Sequence, residues 1–218
     1  FVTCEAIERA LTPNTVLVSV QMANSEVGSI QPIADIAKLV HAAGALMHTD
    51  ATQAVGKIPV DLEALGVDAA SFSGHKIGAP KGIGLLYLKA RTPFEPYLLG
   101  GGQEAGLRSG TQNIMGIVGI AAAVEAVCDM VEGERERLSG LRDRLYTALA
   151  GLKQVGVTVP SAVGCPDYLP NIVHVLVRGF ESETLIIRLD AEGIGISGGS
   201  ACSSGSLEPS GVLTAMGV

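Results

Sequence analysis

Apolar positions along the chain fall into two rhythms. Thr15–Met22 (TVLVSVQM) is rich in β-branched residues, contains no breaker, and predicts a buried strand. Pro32 then opens a helix, with Ile33, Ile36, Ala37 and Val40 at helical spacing on one face and Gly44 as its C-terminal stop. Ala45–His48 predicts a short strand, with polar Thr49 and Asp50 just past it. Leu62–Leu65 predicts a helical turn closed by Gly66, and Val67–Phe72 a further strand leading into the polar loop Ser73-Gly74-His75-Lys76. Ile83–Leu88 is another strand, and the run that follows Leu99 (LLGGGQEAGLRSGTQN) is too glycine-dense for a regular element. A long helix is expected from about Asn113 to Val131, interrupted by Gly133, with a second, charged helix over Glu134–Leu149. Short strands at Val155–Val159 and Ile172–Val177 then flank a helix at Ser182–Glu192.

Strands alternating with helices predict an α/β fold with a largely parallel sheet and helices on both faces. In such sheets ligands bind beyond the carboxyl ends of the strands. Asp50 and Lys76 each follow a strand directly, so both can project into one cleft. The change of pattern places a domain boundary near residue 131.

Composition narrows the function classes. Of 218 residues 47% are hydrophobic and 17% charged, which excludes a disordered chain. The longest apolar run, Ile114 to Val124, falls short of the roughly 18 residues a spanning helix needs, so no membrane role is expected. A net charge of −7 argues against binding driven by nucleic-acid phosphates, and the absence of Trp argues against a base-stacking platform. Four cysteines, at 4, 128, 165 and 202, form neither a C-x-x-C pair nor any zinc-site spacing. They read as reduced thiols, which suits a cytoplasmic protein. Cys128 sits on an apolar helix stripe and reads as structural. No Walker, dinucleotide, zinc-protease or nucleophile-elbow motif occurs.

Four segments carry candidate chemistry. In SFSGHK, Lys76 is either a solvated loop lysine or an amine in a cleft. Burial beside other cations would lower its pKa and permit Schiff-base chemistry. Ser73 and His75 could donate to a phosphate. In HTDATQ, Asp50 is either a helix N-cap or a carboxylate paired with a pyridinium nitrogen, with Gln53 in reach of the same ring. His48 reads equally well as a core histidine. Cys202, among glycines and serines in SGGSACSSGS, is either an incidental surface thiol or one that must travel. In LRSGTQN, Arg108 and Thr111 could join backbone amides around an anion.

Taken together, ANSEVGSIQPI, HTDATQAVGK, SFSGHKIGAPKGIG, LRSGTQN and SGGSACSSGSLEPSGVL resemble the class I cysteine desulfurases of the NifS/IscS type, in order and with fitting spacing from about residue 15 onward. The resemblance implies an aspartate-aminotransferase-like fold dependent on pyridoxal 5'-phosphate (PLP). Residues 1–131 would form part of the large, mostly parallel-sheet domain and 132–218 part of the small C-terminal α/β domain. It implies a homodimer that takes sulfur from L-cysteine, leaving L-alanine and a persulfide for iron-sulfur cluster assembly or thiolation. Lys76 would carry the cofactor, Asp50 would pair with its ring nitrogen and Gln53 would contact the ring hydroxyl. Ser73, His75 and, across the dimer, Thr111 would hold the phosphate. Cys202, on a loop of the longer class, would take the sulfur and deliver it to an acceptor or scaffold protein.

Three departures stand out. Asn24-Ser25 occupies the place of the family's Asn pair, so Asn24 is the remaining candidate for the cofactor contact there. The family's upstream Ala-Thr pair and stacking histidine, and its downstream substrate-binding arginine, lie beyond this sequence, which reads as an internal fragment. Selenocysteine lyase, another PLP-dependent lyase, and a non-catalytic protein that docks a sulfur acceptor are the rival readings.

Overall fold

The computed structural model describes residues 1–159, 163–199 and 210–218. Two compact units emerge. The first comprises Phe1–Ala23 and Ser29–Arg137, the second Asn24–Gly28 and Leu138–Val218.

The first unit is built on a four-stranded sheet in the order β1-β2-β3-β4, formed by Leu17–Gln21, Leu46–Asp50, Ala69–Ser73 and Gly84–Leu88. β1, β2 and β3 are parallel, and β4 returns antiparallel to β3. Helix α1 (Cys4–Ala10) precedes the sheet. Helix α2 (Ile33–Ala42) buries Ile33, Ile36, Ala37 and Val40, the four residues its periodicity selects, and packs on β2. It stops where Gly44, at φ 79°, turns into the left-handed conformation open to glycine. On one sheet face Met47, Thr49 and Ala70 are fully buried, while Val18, Val20 and Phe72 beside them are half-buried. The short helix α3 (Leu62–Leu65) is capped by Asp61, whose carboxylate accepts the N–H groups of Glu63 and Ala64, and closed by left-handed Gly66.

β1 departs from the expected buried strand. Its residues alternate between exposed and half-buried, and Leu17 is 52% exposed. β1 lies at the sheet edge, so only β2 covers one of its sides.

Helix α4 is the larger correction. It runs unbroken over Ile114–Ala150. A helical glycine costs only about 1 kcal/mol relative to alanine. Gly133 therefore weakens the helix without ending it, and the Glu134–Arg137 ion pair at 2.7 Å supports the next turn. The continuous helix also contains an 18-residue stretch of mean hydropathy 2.0, long and apolar enough by composition to cross a membrane. The stretch carries Glu125 and Asp129, so it is not the uncharged run of roughly 18 residues that the sequence lacks. Within the first unit the same helix supplies Ile120 to the core, and its Gly116 and Gly119 admit Ile83 and Pro80 at close range. Cys128, expected to be structural, is exposed.

The second unit pairs β5 (Val155–Val157) antiparallel with β6 (Val175–Val177). Helices α5 (Ser182–Ala191) and α6 (Gly211–Ala215) follow. Val27, Tyr146, Val159 and Tyr168 form its core.

Candidate active site

The carboxyl end of the parallel sheet gathers polar side chains because they recur at every second strand position. A strand points alternate residues to one face. Ser19 and Gln21 on β1, His48 and Asp50 on β2, and Ser71 and Ser73 on β3 therefore share a face. The register sets Ser19 beside His48, and both Gln21 and Ser71 beside Asp50.

Asp50 is the last residue of β2, not the first beyond it. Its backbone completes the ladder, with its carbonyl accepting the Met22 N–H at 2.7 Å. Its side chain is exposed, and Oδ1 accepts the Thr52 N–H at 2.9 Å. No helix follows, so Asp50 caps a turn and keeps its second carboxylate oxygen available among the described residues. Gln53 sits half-buried in that turn.

β3 ends at Ser73 and passes into a 3₁₀ turn, Gly74–Ile77, that presents Lys76. Gly74 pins the turn. Its N–H donates to the Ile83 carbonyl, and a Cβ there would meet Ile83, Ala79 and Ile120 at 3.0–3.1 Å. Gly78 closes the turn at φ 82°. Lys76 is exposed, and its amine makes no hydrogen bond or ion pair among the described residues. The Ser73 hydroxyl and His75 Nδ1 are hydrogen-bonded at 2.7 Å, so both point from the same turn.

Three side chains next to this end were not singled out from sequence. Lys57 donates from Nζ to the Lys76 carbonyl at 3.4 Å, and burial holds its amine below the usual lysine range. Ser71 bonds to His48, as does Ser19. The period-two recurrence of serine, histidine and aspartate in three adjacent strands was the available signal for the serines. No sequence pattern pointed to Lys57. Burial pushes the His48 imidazole below the usual histidine range, and the Asp50 charge pushes part of the way back.

The remaining candidates divide. Thr111 is exposed in the glycine-rich segment of the first unit. In the same segment Arg108 spends one guanidinium N–H on the Ser109 carbonyl at 2.9 Å. Asn24 belongs to the second unit. It is buried, and its Oδ1 accepts both the Glu26 and Val27 N–H groups at 2.9 Å, so that oxygen holds its own turn. Cys202 lies outside the described residues. The structure thus gathers Asp50, Ser73, His75 and Lys76 at one end of one sheet. Nearby, a cavity of about 570 Å³ is walled by Val55, Ile58, Phe72, Leu85, Val124 and Cys128, and neither Asp50 nor Lys76 lines it.

The sequence matches the aminotransferase class-V family over residues 1–217. The chain belongs to that family. It is 44% identical over 214 residues to a cysteine desulfurase of Gluconacetobacter diazotrophicus, covering 98% of this chain and 53% of the relative. It is also 44% identical to the cysteine desulfurase NifS of Azotobacter vinelandii, covering 95% of this chain and 51% of the relative. The chain thus spans about half the length of the curated relatives it matches. Among solved structures, a NifS-like protein superposes with a TM-score of 0.82 at 40% identity, covering 89% of this chain and 53% of the other. The NifS-like protein of Rickettsia africae gives 0.83 at 32% identity, covering 99% and 56%. The fold is therefore the α/β fold of the NifS-like proteins. Class-V aminotransferases and cysteine desulfurases depend on PLP.

Proposed function

We propose that the protein carrying this chain is a cysteine desulfurase that holds PLP at the carboxyl end of the β1–β3 sheet. It takes sulfur from L-cysteine and leaves L-alanine and a persulfide on Cys202. The observation that most supports this is the common address of Asp50 and Lys76. One closes β2 as an exposed carboxylate, and the other follows the adjacent strand β3 as an exposed amine with no hydrogen-bond partner among the described residues. That donor set suits PLP, which brings an aldehyde for an amine, a ring nitrogen for a carboxylate and a phosphate for hydroxyl and imidazole donors.

When bound, the cofactor supplies an electron sink for charge developing at the substrate α-carbon. Each residue then has a task. Asp50 holds a proton on the ring nitrogen by its negative charge. Gln53 donates to the ring hydroxyl. Ser73 and His75, with Thr111 of the partner subunit, would hold the phosphate, and Asn24, whose Oδ1 holds its own turn, would offer its amide N–H as the remaining candidate cofactor contact. Lys76, as the amine beside the cofactor, would take the substrate α-proton as a general base. The Cys202 thiolate attacks the substrate sulfur, so an S–S bond forms as the substrate C–S bond breaks. The electron pair of that bond stays with the β-carbon, which takes a proton, and a proton returned to the α-carbon completes alanine. A homodimer, a reducing cytoplasmic setting and an acceptor protein for the sulfur complete the reading.

The test is alanine release from L-cysteine, measured together with the absorbance of bound cofactor in the protein that carries this chain. Lys76→Ala should lose both the lysine-linked absorbance band and turnover. Cys202→Ser should keep the band and lose turnover of cysteine. A protein that binds no PLP, or a Lys76→Ala variant with an unchanged band, overturns the proposal. Turnover of selenocysteine retained in Cys202→Ser, with cysteine turnover lost, identifies a selenocysteine lyase instead.

A further inference from the structure

His48 is neither a core histidine nor an unattached one. On β2 it stands between two serines on the flanking strands, with Nδ1 2.7 Å from Ser19 Oγ on β1 and Nε2 3.2 Å from Ser71 Oγ on β3. Both ring nitrogens are therefore occupied, and the ring spans three strands across one face. A neutral imidazole has one donor and one acceptor nitrogen, and a hydroxyl can serve either. The arrangement is complete without a charge on the ring. Burial favours that neutral form, and Asp50 is the one charged group that acts on His48 among the described residues.

The bridge lies directly behind Asp50. Residues two apart on a strand are separated by about 7 Å and share a face. Asp50 also marks the last register pair on both sides of β2, Gln21–Asp50 and Asp50–Ser71. One more backbone bond closes the ladder on each side, from the Met22 N–H to the Asp50 carbonyl at 2.7 Å and from the Ala51 N–H to the Ser71 carbonyl at 3.0 Å, so the backbone around Asp50 is held and the aim of its side chain is what remains to be set. Ser71, which bonds to His48, is itself the β3 neighbour of Asp50.

We infer that His48, clamped by Ser19 and Ser71, is a positioning residue for Asp50. It fixes the carboxylate against the place where a ring nitrogen is held. The inference rests on the PLP reading above. It adds a residue with no contact to the cofactor and acting only through Asp50.

Because the effect passes through Asp50, it must depend on the nitrogen that Asp50 meets. The experiment compares dissociation constants for PLP and for its 1-deaza analogue, in which a C–H replaces that nitrogen, in the protein carrying this chain. His48→Phe fills the space and removes both hydrogen bonds. It should weaken PLP by about 10-fold, the scale of one lost hydrogen bond, and leave the deaza analogue within about twofold. His48→Gln, which keeps a donor and an acceptor, should recover most of the PLP affinity. Equal loss for both ligands in His48→Phe makes the residue merely structural and overturns the inference, as does no loss for either. If His48→Phe folds poorly, Ser19→Ala combined with Ser71→Ala breaks the same two bonds with less change of volume, and the same ligand comparison decides. The two proposals fail separately. Wild-type protein that binds neither ligand overturns both. Wild-type protein that prefers PLP to the analogue, with His48→Phe matching it, overturns the His48 inference alone.

Discussion

The first unit's sheet end and the second unit's Arg142 cluster are both rich in polar groups, yet they use them in opposite ways. Arg142 is 4% exposed. It spends its guanidinium inwardly: Nη1 donates to the carbonyls of Tyr168 at 2.8 Å and Leu169 at 3.3 Å, and Nε donates to Asp143 at 2.9 Å. Asp143 in turn accepts the Gly164 N–H at 2.9 Å. Nearby, the Tyr146 hydroxyl accepts the His174 N–H at 3.0 Å. Every partner is internal, and the result is a loop fastened to a helix. At the sheet end, among the described residues, the Lys76 amine has no internal partner and Asp50 uses one oxygen. Polarity that is buried and satisfied is architecture. Polarity that is exposed and left open, on a rigid edge, is available for a ligand.

The contrast makes its largest prediction at Arg142. Arg142→Ala strands several carbonyls and the Asp143 carboxylate, so stability should fall by roughly 3 kcal/mol, read from urea melts. An unchanged midpoint would break the contrast by showing that the buried cluster holds nothing.

Gly74→Val sits at the boundary between the two behaviours. Its side chain would press on Ile83, Ala79 and Ile120. Overpacking of that kind costs about 1–3 kcal/mol. It should also shift the turn that presents Lys76, so melting temperature and PLP affinity should drop together. A variant that loses stability but keeps cofactor affinity would show that the turn is not what aims the lysine.

Lys76→Ala should show the reverse of Arg142→Ala. An exposed side chain with no partner among the described residues contributes little, so stability should stay within about 0.5 kcal/mol of wild type while the lysine-linked absorbance disappears. A large loss of stability would mean that Lys76 has a structural partner after all.

How much of this was legible follows the same division. α2 was readable residue by residue, because a helix that buries one face against a sheet must repeat its apolar positions. The exposure of β1 was not, because an edge strand and a central strand can carry the same β-branched run, and only neighbours distinguish them. Gly133 misled because propensity is a small bias that a 37-residue helix absorbs. The places of Asp50 and Lys76 at the carboxyl ends of adjacent strands were legible from the alternation of strands and polar loops. The bridge through His48 was not, since it needs the register that sets Ser19 and Ser71 on either side. Nor was the turn held by Asn24 Oδ1, which needs the backbone path of Glu26 and Val27 to be known.

The smallest effect concerns an ion pair that lies between the two behaviours. Asp68 Oδ2 is 2.7 Å from His41 Nε2 and accepts the Met47 N–H at 2.8 Å, tying α2 and β2 to the start of β3. Burial pushes the Asp68 carboxyl up, but the Met47 N–H and the His41 contact, helped by Lys89, outweigh it, and the group sits below the usual carboxylate range. A carboxyl depressed on folding binds its proton more weakly in the native state than in the unfolded chain. Its contribution is therefore fully present above the ordinary aspartate range and is lost as pH falls through the lower folded value. With His41 38% exposed, the pair contributes only a few tenths of a kcal/mol, about the scale of a surface ion pair. Asp68→Asn should leave the acid-side decline of the melting temperature slightly shallower than wild type while lowering the plateau near neutral pH. A parallel offset at every pH, with no change of slope, would show that the Met47 hydrogen bond alone matters and that the charge on Asp68 does not.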